Sequence, residues 1–490
     1  MDGSKISGTP RYEARVLPTP SRRQLARRAL LVISSVIRHV GPVLLRRLFR
    51  RGGRVFDIAA LAAPLRSVCE ELGGTFVKFG QIVASSPGLF GDTLAEEFRR
   101  CLDDGPVVPF AMVRRVVESE LGQSLDAVFA SFDETPIGQA SVAVVHRAQL
   151  LNGSRVAVKV LRPDIEMLIA TDLHLAEPFF RFLFHQTGAQ MLGAIVQQLD
   201  GLRLQIGEEL DLRNEARALL HFRALVADSS YHLIAVPEPV LTFSTMSVLT
   251  MEFLDGVAID DENSVETLGL NAADAIDQLI RGFFMMTVRW GAFHGDAHAG
   301  NLLLLRDGRI GVLDWGIVGR LDSATHHFFR KLLEAVLGVE SAWDDVTGHI
   351  ISNYGPVISS AMGMDDVQLA VFLRMMIEPL LLRPFGEVSF AEMFTMTQMH
   401  VARANDISFQ SSSLLGLLRR LRVQRRIQRL SLANGGILTD FDRGNFLLGK
   451  QLMYFEKYGK IYLSDRAILS DRVFLEELLA EPDVFENGQG

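Results

Sequence analysis

The sequence predicts an α+β protein in which a helical extension precedes two lobes, and three observations carry that reading. Two β-prone runs, residues 142–150 and 155–161, flank Asn152-Gly153, a strong hairpin signal, and the second run carries Lys159. A helical pattern further on holds Glu215. A long helical stretch then leads into His294-Gly295-Asp296-Ala297-His298-Ala299-Gly300-Asn301, followed after a short apolar run by Leu313-Asp314-Trp315-Gly316.

The elements follow in order. Residues 1–20, with Gly, Ser and Pro throughout, read as a flexible start. Residues 22–51 carry a helical pattern with a break expected at Gly41-Pro42, and 57–81 read as a helix or helix pair ending in Lys78-Phe79-Gly80-Gln81. Short amphipathic helices are expected at 96–102 and 110–121. After the hairpin, 164–186 return to a helical pattern bent or broken at Pro178, and 191–222 continue it. Residues 236–243 and 247–253 read as two more strands, the first demoted to an edge by Pro237 and Pro239. Leu254-Asp255-Gly256 reads as a linker. A helix at 272–290, a hairpin around Asp307-Gly308, and helices at 326–337, 367–382, 387–399, 414–430 and 446–459 complete the pattern. The resulting segments are a flexible start (1–20), a helical extension (21–125), a first lobe with a nucleotide loop and inserted helices (126–255), a helical second lobe with catalytic and metal-binding loops (256–480), and a flexible tail (481–490).

The chain has 490 residues, enough for a large core, and 48% of them are hydrophobic, which excludes a solvated polymer. Its net charge is −8, unevenly spread: Arg22, Arg23, Arg27, Arg28, Arg38, Arg46, Arg47, Arg50, Arg51 and Arg54 precede the next acid, Asp57. Beside the apolar residues 30–37, this block suits an anionic membrane surface; the plainer reading is a helix packed on its own core with arginines outside. The apolar run is short and is interrupted by Arg38, His39 and Pro42, so no clear spanning helix is expected, nor an export signal. Cys69 and Cys101 make neither a disulfide scaffold nor a four-thiolate site. A cytoplasmic protein, peripheral on the inner face of the membrane, is expected. Arginines at 419–429 lack interleaved aromatics, so no nucleic acid partner is expected.

The chemistry lies in the loops. An Asp and an Asn five apart, then an Asp-x-Gly, are the parts from which protein kinases build phosphoryl transfer: a catalytic-loop carboxylate and two oxygen ligands for a divalent ion. Asn301 and Asp314 suit Mg2+ or Mn2+, and Asp296 suits either the proton-accepting, acceptor-orienting carboxylate or an indirect metal-site group. Lys159, with Glu215 as its partner, suits the phosphates of ATP or ADP. His294 and His298 are spaced i,i+4, but the flanking glycines argue against a zinc helix and for loop-orienting roles. Together these parts predict a two-lobed protein-kinase-like α+β fold with an N-terminal helical extension.

At this point the chain resembles the AarF/UbiB family of atypical kinase-like proteins, called ADCK proteins in animals, over most of residues 57–460. Lys78-Phe79-Gly80-Gln81 resembles the family's Lys-x-Gly-Gln signature, Glu209-Leu210-Asp211 its Glu-x-Asp signature, and Gly138-Gln139-Ala140-Ser141 its Ala-rich nucleotide loop. Lys159, Glu215, Asp296, Asn301 and Asp314 match its lysine, glutamate, catalytic-loop and metal positions. The resemblance implies catalytic roles for Lys78, Gln81, Glu209, Asp211 and Asp296. It implies nucleotide binding at residues 138–141, and an ATPase or unorthodox kinase supporting isoprenoid-quinone or related lipid metabolism at membranes. Isoprenoid lipids or quinone-pathway enzymes are the implied partners. A nucleotide-gated scaffold for membrane enzymes, or a kinase for a small-molecule or protein acceptor, is the alternative. Three departures are noted. Gly138 stands in a loop usually denser in alanine and is expected to relax it. Ala297 and Ala299 stand where the family often has proline, which predicts a less stiff catalytic loop. Trp315 replaces a common Phe and is expected to pack while leaving Asp314 available.

Overall fold

The structure, a computed structural model, describes residues 12–48, 58–85, 92–98, 100, 108–187, 203–228, 232–267, 269, 271–362, 364–382, 443–463, 466, 468 and 471–480. The helices expected at 387–399 and 414–430, the arginines at 419–429, Cys101, the tail and the side chain of Gln81 lie outside the described residues. The fold is mixed α and β, with an N-terminal helical extension and a central β-sheet core, consistent with the two-lobed kinase-like arrangement. Two compact units divide the chain: an N-terminal unit of Pro10–His221 with Pro237–Leu254, and a C-terminal unit that includes Phe222–Val236 and the chain from Asp255 onward.

In the N-terminal unit, α1 (Arg22–Leu48) runs unbroken through Pro42, against the expected break. Proline there removes the donor to the Arg38 carbonyl, a loss of about 3 kcal/mol in a helix interior. Arg38 and Pro42 are both exposed, so water can take up that carbonyl, and Val40 packs with Val68 and Leu72 of α2 (Ile58–Leu72) to hold the helix in place. Gly73 (φ 65°) and Gly74 (φ 48°) take the left-handed conformation that divides α2 from α3 (Gly74–Ser85). Lys78 and Gln81 therefore lie in the body of α3 and not at a helix end. The helix expected at 96–102 begins earlier, as Asp92–Phe98. Residues 13–15, inside the stretch read as a flexible start, are bonded to the chain near 207–214: Arg15 N donates to Gly207 O (2.8 Å), and Asn214 Nδ2 donates to Glu13 O (2.9 Å).

The sheet of this unit is antiparallel, in the order β1 (Phe129–Phe132), β3 (Ala143–Leu150), β4 (Arg155–Leu161), Val248–Glu252, with β2 (Gly138–Gln139) bonded to β3. Alternation along β4 sorts its faces. Val156, Val158 and Val160 pack with Val113 and Val117 of the Phe110–Leu121 helix, which turns Lys159 to the other face. Residues 236–243 are not the expected strand: Pro239 makes one bridge to Met251, and Leu241–Phe243 forms a 3-10 turn. Two prolines leave too few donors for a ladder. The Ile165–Thr187 helix runs unbroken through Pro178, whose i−4 residue, His174, is exposed as Pro178 is. The single helix expected over 191–222 is interrupted at Leu210 and Asp211, and its second part is Leu212–Asp228.

In the C-terminal unit the Ala272–Trp290 helix is as expected, capped by Asn271, whose side chain accepts from Asp274 N, and ended by Gly291 in the left-handed region. The hairpin Leu302–Leu305 and Ile310–Val312 forms around Gly308 and pairs with Ile234–Ala235 on one side and Gly256–Ala258 on the other. Gly256, expected as a linker, is instead a strand residue: a Cβ there would stand 2.7 Å from Leu304 O. Ala292–His294 pairs with Val318–Arg320. Among the described helices of this unit, Glu262–Thr267, Ala342–Met362 and Arg472–Leu479 lie outside those the sequence predicts.

α1 also revises the expectation of no clear spanning helix. By length and composition alone, Arg22–Arg46 is long and apolar enough to cross a membrane. One side of it is tied to its own unit. Arg28 binds Asp172 (2.6 Å) and the Leu72 carbonyl (2.9 Å), while Ser35, Arg38 and His39 all reach Glu71. Leu30, Ile33 and Ile37 remain exposed.

Candidate functional site

Each unit carries part of the constellation. In the N-terminal unit the β3–β4 pairing, with Val145 opposite Lys159, fixes the height of the lysine on its strand. Its Nζ lies 2.7 Å from Glu215 Oε2, on the first turn of the Leu212–Asp228 helix, and both residues are buried. The partnership expected from chain order is thus a direct ion pair. A second one lies in the same unit: Lys78 Nζ of α3 meets Glu209 Oε2 at 2.5 Å, and Gln205 Nε2 donates to the other oxygen, Oε1, at 3.0 Å. Asp211 is engaged differently. Its carboxylate accepts from Arg213 Nε (2.8 Å) and Nη2 (2.5 Å) and from the Arg213 backbone N–H (3.1 Å), capping the helix that presents Glu215.

The loop at residues 138–141, expected to bind nucleotide, is a tight β2–β3 connection. Ala140 N donates to Ala143 O (2.8 Å), Arg162 Nε donates to Ala140 O (2.8 Å), and Ser141 is buried. Gly138 does not relax this loop as expected. It sits in a paired strand outside the left-handed region, and a Cβ there would meet Val145 only at ordinary contact distance, 3.7 Å. Gly138→Ala is therefore expected to fold with unchanged or slightly higher stability, by about 0.5 kcal/mol, through a less flexible unfolded chain. Thermal melts check this; a loss above about 1 kcal/mol would contradict the paired-strand placement.

In the C-terminal unit the loop after Ala292–His294 carries Asp296. His294 is fully buried, stacked on Phe283 (5.8 Å) and edge-on to Trp315 (4.7 Å). Its Nδ1 accepts from Asp296 N (3.1 Å) and its Nε2 donates to Asp314 O (2.5 Å). Burial pushes its pKa down, so the ring is a neutral tie between the Asp296 and Asp314 loops. His298 caps the short turn Ala299–Asn301 by accepting from Gly300 N (3.1 Å). The two histidines thus orient the loop.

Asn301 donates Nδ2 to Asp296 O (3.0 Å), and its own carbonyl accepts from Leu313 N (2.9 Å). Asp314 Oδ1 accepts from Gly316 N (2.9 Å), the closed turn of an Asp-x-Gly motif. Trp315 is fully buried against Phe222 (4.3 Å between rings) and donates to Val312 O (2.9 Å), so the larger ring packs inward beside Asp314. The His294–Asn301 loop, expected to be less stiff without proline, is held by hydrogen bonds. His298 N donates to Asp296 O (2.9 Å), Asn301 N to His298 O (2.9 Å), and Tyr458 OH to Ala297 O (2.7 Å).

Sequence reasoning missed the groups that hold the Asp296 side chain. Lys450 Nζ lies 2.7 Å from Oδ1, and Tyr454 OH donates to the same oxygen at 3.2 Å. Burial opposes ionisation of Asp296, but the Lys450 ammonium beside it outweighs that and holds the carboxyl below its usual range. Burial, then the negative charge of Asp296, pushes Tyr454 up, so it stays a neutral donor. The available signal was spacing: Lys450, Tyr454, Tyr458 and Tyr462 recur every fourth residue along the Arg443–Tyr462 helix, close to one stripe of its surface.

Strands bearing a buried lysine–glutamate pair, with an Asp–Asn loop and an Asp-x-Gly turn on a helical unit, define a protein-kinase-like molecule. Residues 100–343 match the ABC1 atypical kinase-like domain. An uncharacterized protein of Mycobacterium tuberculosis strain H37Rv is 33% identical over 82% of this chain and 74% of its own. An uncharacterized chloroplastic aarF domain-containing protein kinase of Arabidopsis thaliana is 30% identical over 83% and 73%. A protein of Cellvibrio japonicus named probable protein kinase UbiB is 30% identical over 72% and 63%. The chain belongs to the ABC1/UbiB (ADCK) family of atypical kinase-like proteins.

Proposed function

We propose that this protein is an atypical kinase-like ATPase that binds ATP with Mg2+ or Mn2+ and supports isoprenoid-quinone or related lipid metabolism from an anionic membrane surface. The observation that carries the reading is the buried Lys159–Glu215 pair. Removing two charges from water costs several kcal/mol per ion, so such a pair is weak as a stability device and serves better to aim an ammonium at phosphate oxygens. Asn301 and Asp314 would hold the divalent cation, hard oxygen donors completed by phosphate oxygens, and the bound metal would neutralise phosphate charge. Asp296 orients the water or hydroxyl that accepts the phosphoryl group. Lys78 and Glu209 belong to the family's signatures, and their ion pair supports a shared role. The quinone and lipid assignment rests on the family alone.

Membrane attachment is proposed through α1. Its polar bonds to Asp172, Leu72 and Glu71 tie one side to the folded unit, while Leu30, Ile33 and Ile37 stand outside, the pattern of a helix lying in an interface and not across it. Arg28 and Arg38 are partly spent on those bonds, which leaves Arg22, Arg23 and Arg27 as lipid-facing charges worth about 1 kcal/mol each on anionic lipid.

One experiment tests the nucleotide and membrane parts of the reading: phosphate release from ATP, with and without Mg2+, beside anionic or neutral vesicles, with flotation of the same mixtures. Metal-dependent release and preferential flotation with anionic vesicles, weakened by salt, are expected. Tight ATP binding without turnover would replace the ATPase with the nucleotide-gated scaffold. No metal-supported ATP binding at all would overturn the nucleotide reading.

A further inference from the structure

We propose that Lys450 and Tyr454 are positioning residues that fix the Asp296 carboxylate by one oxygen and so present the other to the phosphoryl acceptor. The inference deepens the functional reading, since it rests on Asp296 acting on that acceptor.

The backbone around Asp296 is fixed without these two residues. Asp296 N donates to His294 Nδ1, and Asp296 O accepts from both His298 N and Asn301 Nδ2. Tyr458 OH secures the next carbonyl, Ala297 O. What this leaves open is the side chain, with two rotatable bonds. Lys450 and Tyr454 act on it alone, and both stand on Oδ1, at 2.7 and 3.2 Å. Among the described residues no donor is placed on Oδ2. A tie that served only to fasten the Arg443–Tyr462 helix would be redundant, because Leu447 and Leu448 pack with Phe293 and Leu321, and Tyr458 and Tyr462 bond main-chain carbonyls at Ala297 and Ile259.

A carboxylate held by one oxygen has its other oxygen left, in a fixed position, to accept a hydrogen bond. That converts a freely rotating acceptor into an aligned one, the kind of pre-positioning that raises turnover without tightening nucleotide binding. The lysine adds what a neutral tether lacks: a positive charge beside the carboxylate, supplied from 154 residues downstream of Asp296.

The test uses purified full-length protein, with ATP turnover and ATP calorimetry on each variant. Lys450→Met is expected to lower kcat by about 10- to 100-fold with KM for ATP within about twofold. Lys450→Arg, which keeps the charge, should recover most of that loss, and Tyr454→Phe should lower kcat by about 3- to 10-fold. Adding Lys450→Met to Asp296→Asn should cost nothing more than Asp296→Asn alone. Unchanged ATP affinity throughout shows that the variants fold. Wild-type kcat in Lys450→Met or Tyr454→Phe, with Asp296→Asn inactive, overturns the positioning role and leaves the functional reading standing. Wild-type turnover in Asp296→Asn overturns that reading of Asp296, and this assignment with it. If Lys450→Met fails to fold, Lys450→Arg and Tyr454→Phe decide between the same outcomes.

Discussion

Asp314→Asn should weaken ATP binding in the presence of Mg2+ by about 100-fold, equivalent to about 2.7 kcal/mol, while leaving metal-free ATP binding unchanged. The substitution is close to isosteric. Asp314 uses Oδ1 to accept from Gly316 N, and an asparagine oxygen can accept the same hydrogen bond, so the turn keeps its closure. His294 holds the Asp314 main-chain carbonyl, which the substitution does not touch. What is removed is one negative charge, and for a hard divalent cation the charge of the carboxylate is the larger part of its value as a ligand. ATP turnover should fall by at least as much, on the order of 1000-fold, because the cation also neutralises charge developing in the transition state. Calorimetry with and without EDTA separates the two quantities. Equal affinities of both proteins in Mg2+ would remove Asp314 from the metal site.

The site was legible in the sequence to the extent that its chemistry is local. Asp296, Asn301 and Asp314 fall within nineteen positions, joined by a short hairpin whose turn residues announce it. The Lys159–Glu215 pair spans 56 positions and still followed from order, because a strand lysine and a helix glutamate are the two ends of one familiar device. Lys450 and Tyr454 did not follow, since nothing in the chemistry of a helical lysine points to a partner 154 residues upstream. The differences in secondary structure have three separate causes. The pattern reads Pro42 and Pro178 as helix breakers, but each stands on an exposed face where water can take up the freed carbonyl. Asp211 was read as part of a continuous helix, although an Asp beside an Arg two positions on is also a cap. Strands of two or three residues, such as Ile234–Ala235 and Ala292–His294, carry too few positions for a period to show.

Trp315→Ala should destabilise the C-terminal unit by about 3–5 kcal/mol, the largest stability effect expected of any single substitution near the site. The ring is fully buried and contacts Phe222, Phe283 and His294, so its removal leaves a cavity bounded by aromatic faces that cannot collapse into it. It also deprives the Val312 carbonyl of its donor, a further penalty of about 1–3 kcal/mol that overlaps with the cavity term. Trp315→Phe separates these contributions. It keeps a ring in the pocket, as the Phe common in the family does, but loses the bond to Val312, and should cost about 1–3 kcal/mol. The consequence for function runs through His294, whose ring Trp315 supports and whose Nε2 holds the Asp314 carbonyl. The two variants should therefore differ in metal-supported ATP affinity as they differ in stability, with Trp315→Phe close to wild type and Trp315→Ala weaker even where it is folded. Urea unfolding and calorimetry below the melting transition supply both measurements. A Trp315→Ala variant within about 1 kcal/mol of wild type would show that the ring is not a structural support for the Asp314 turn.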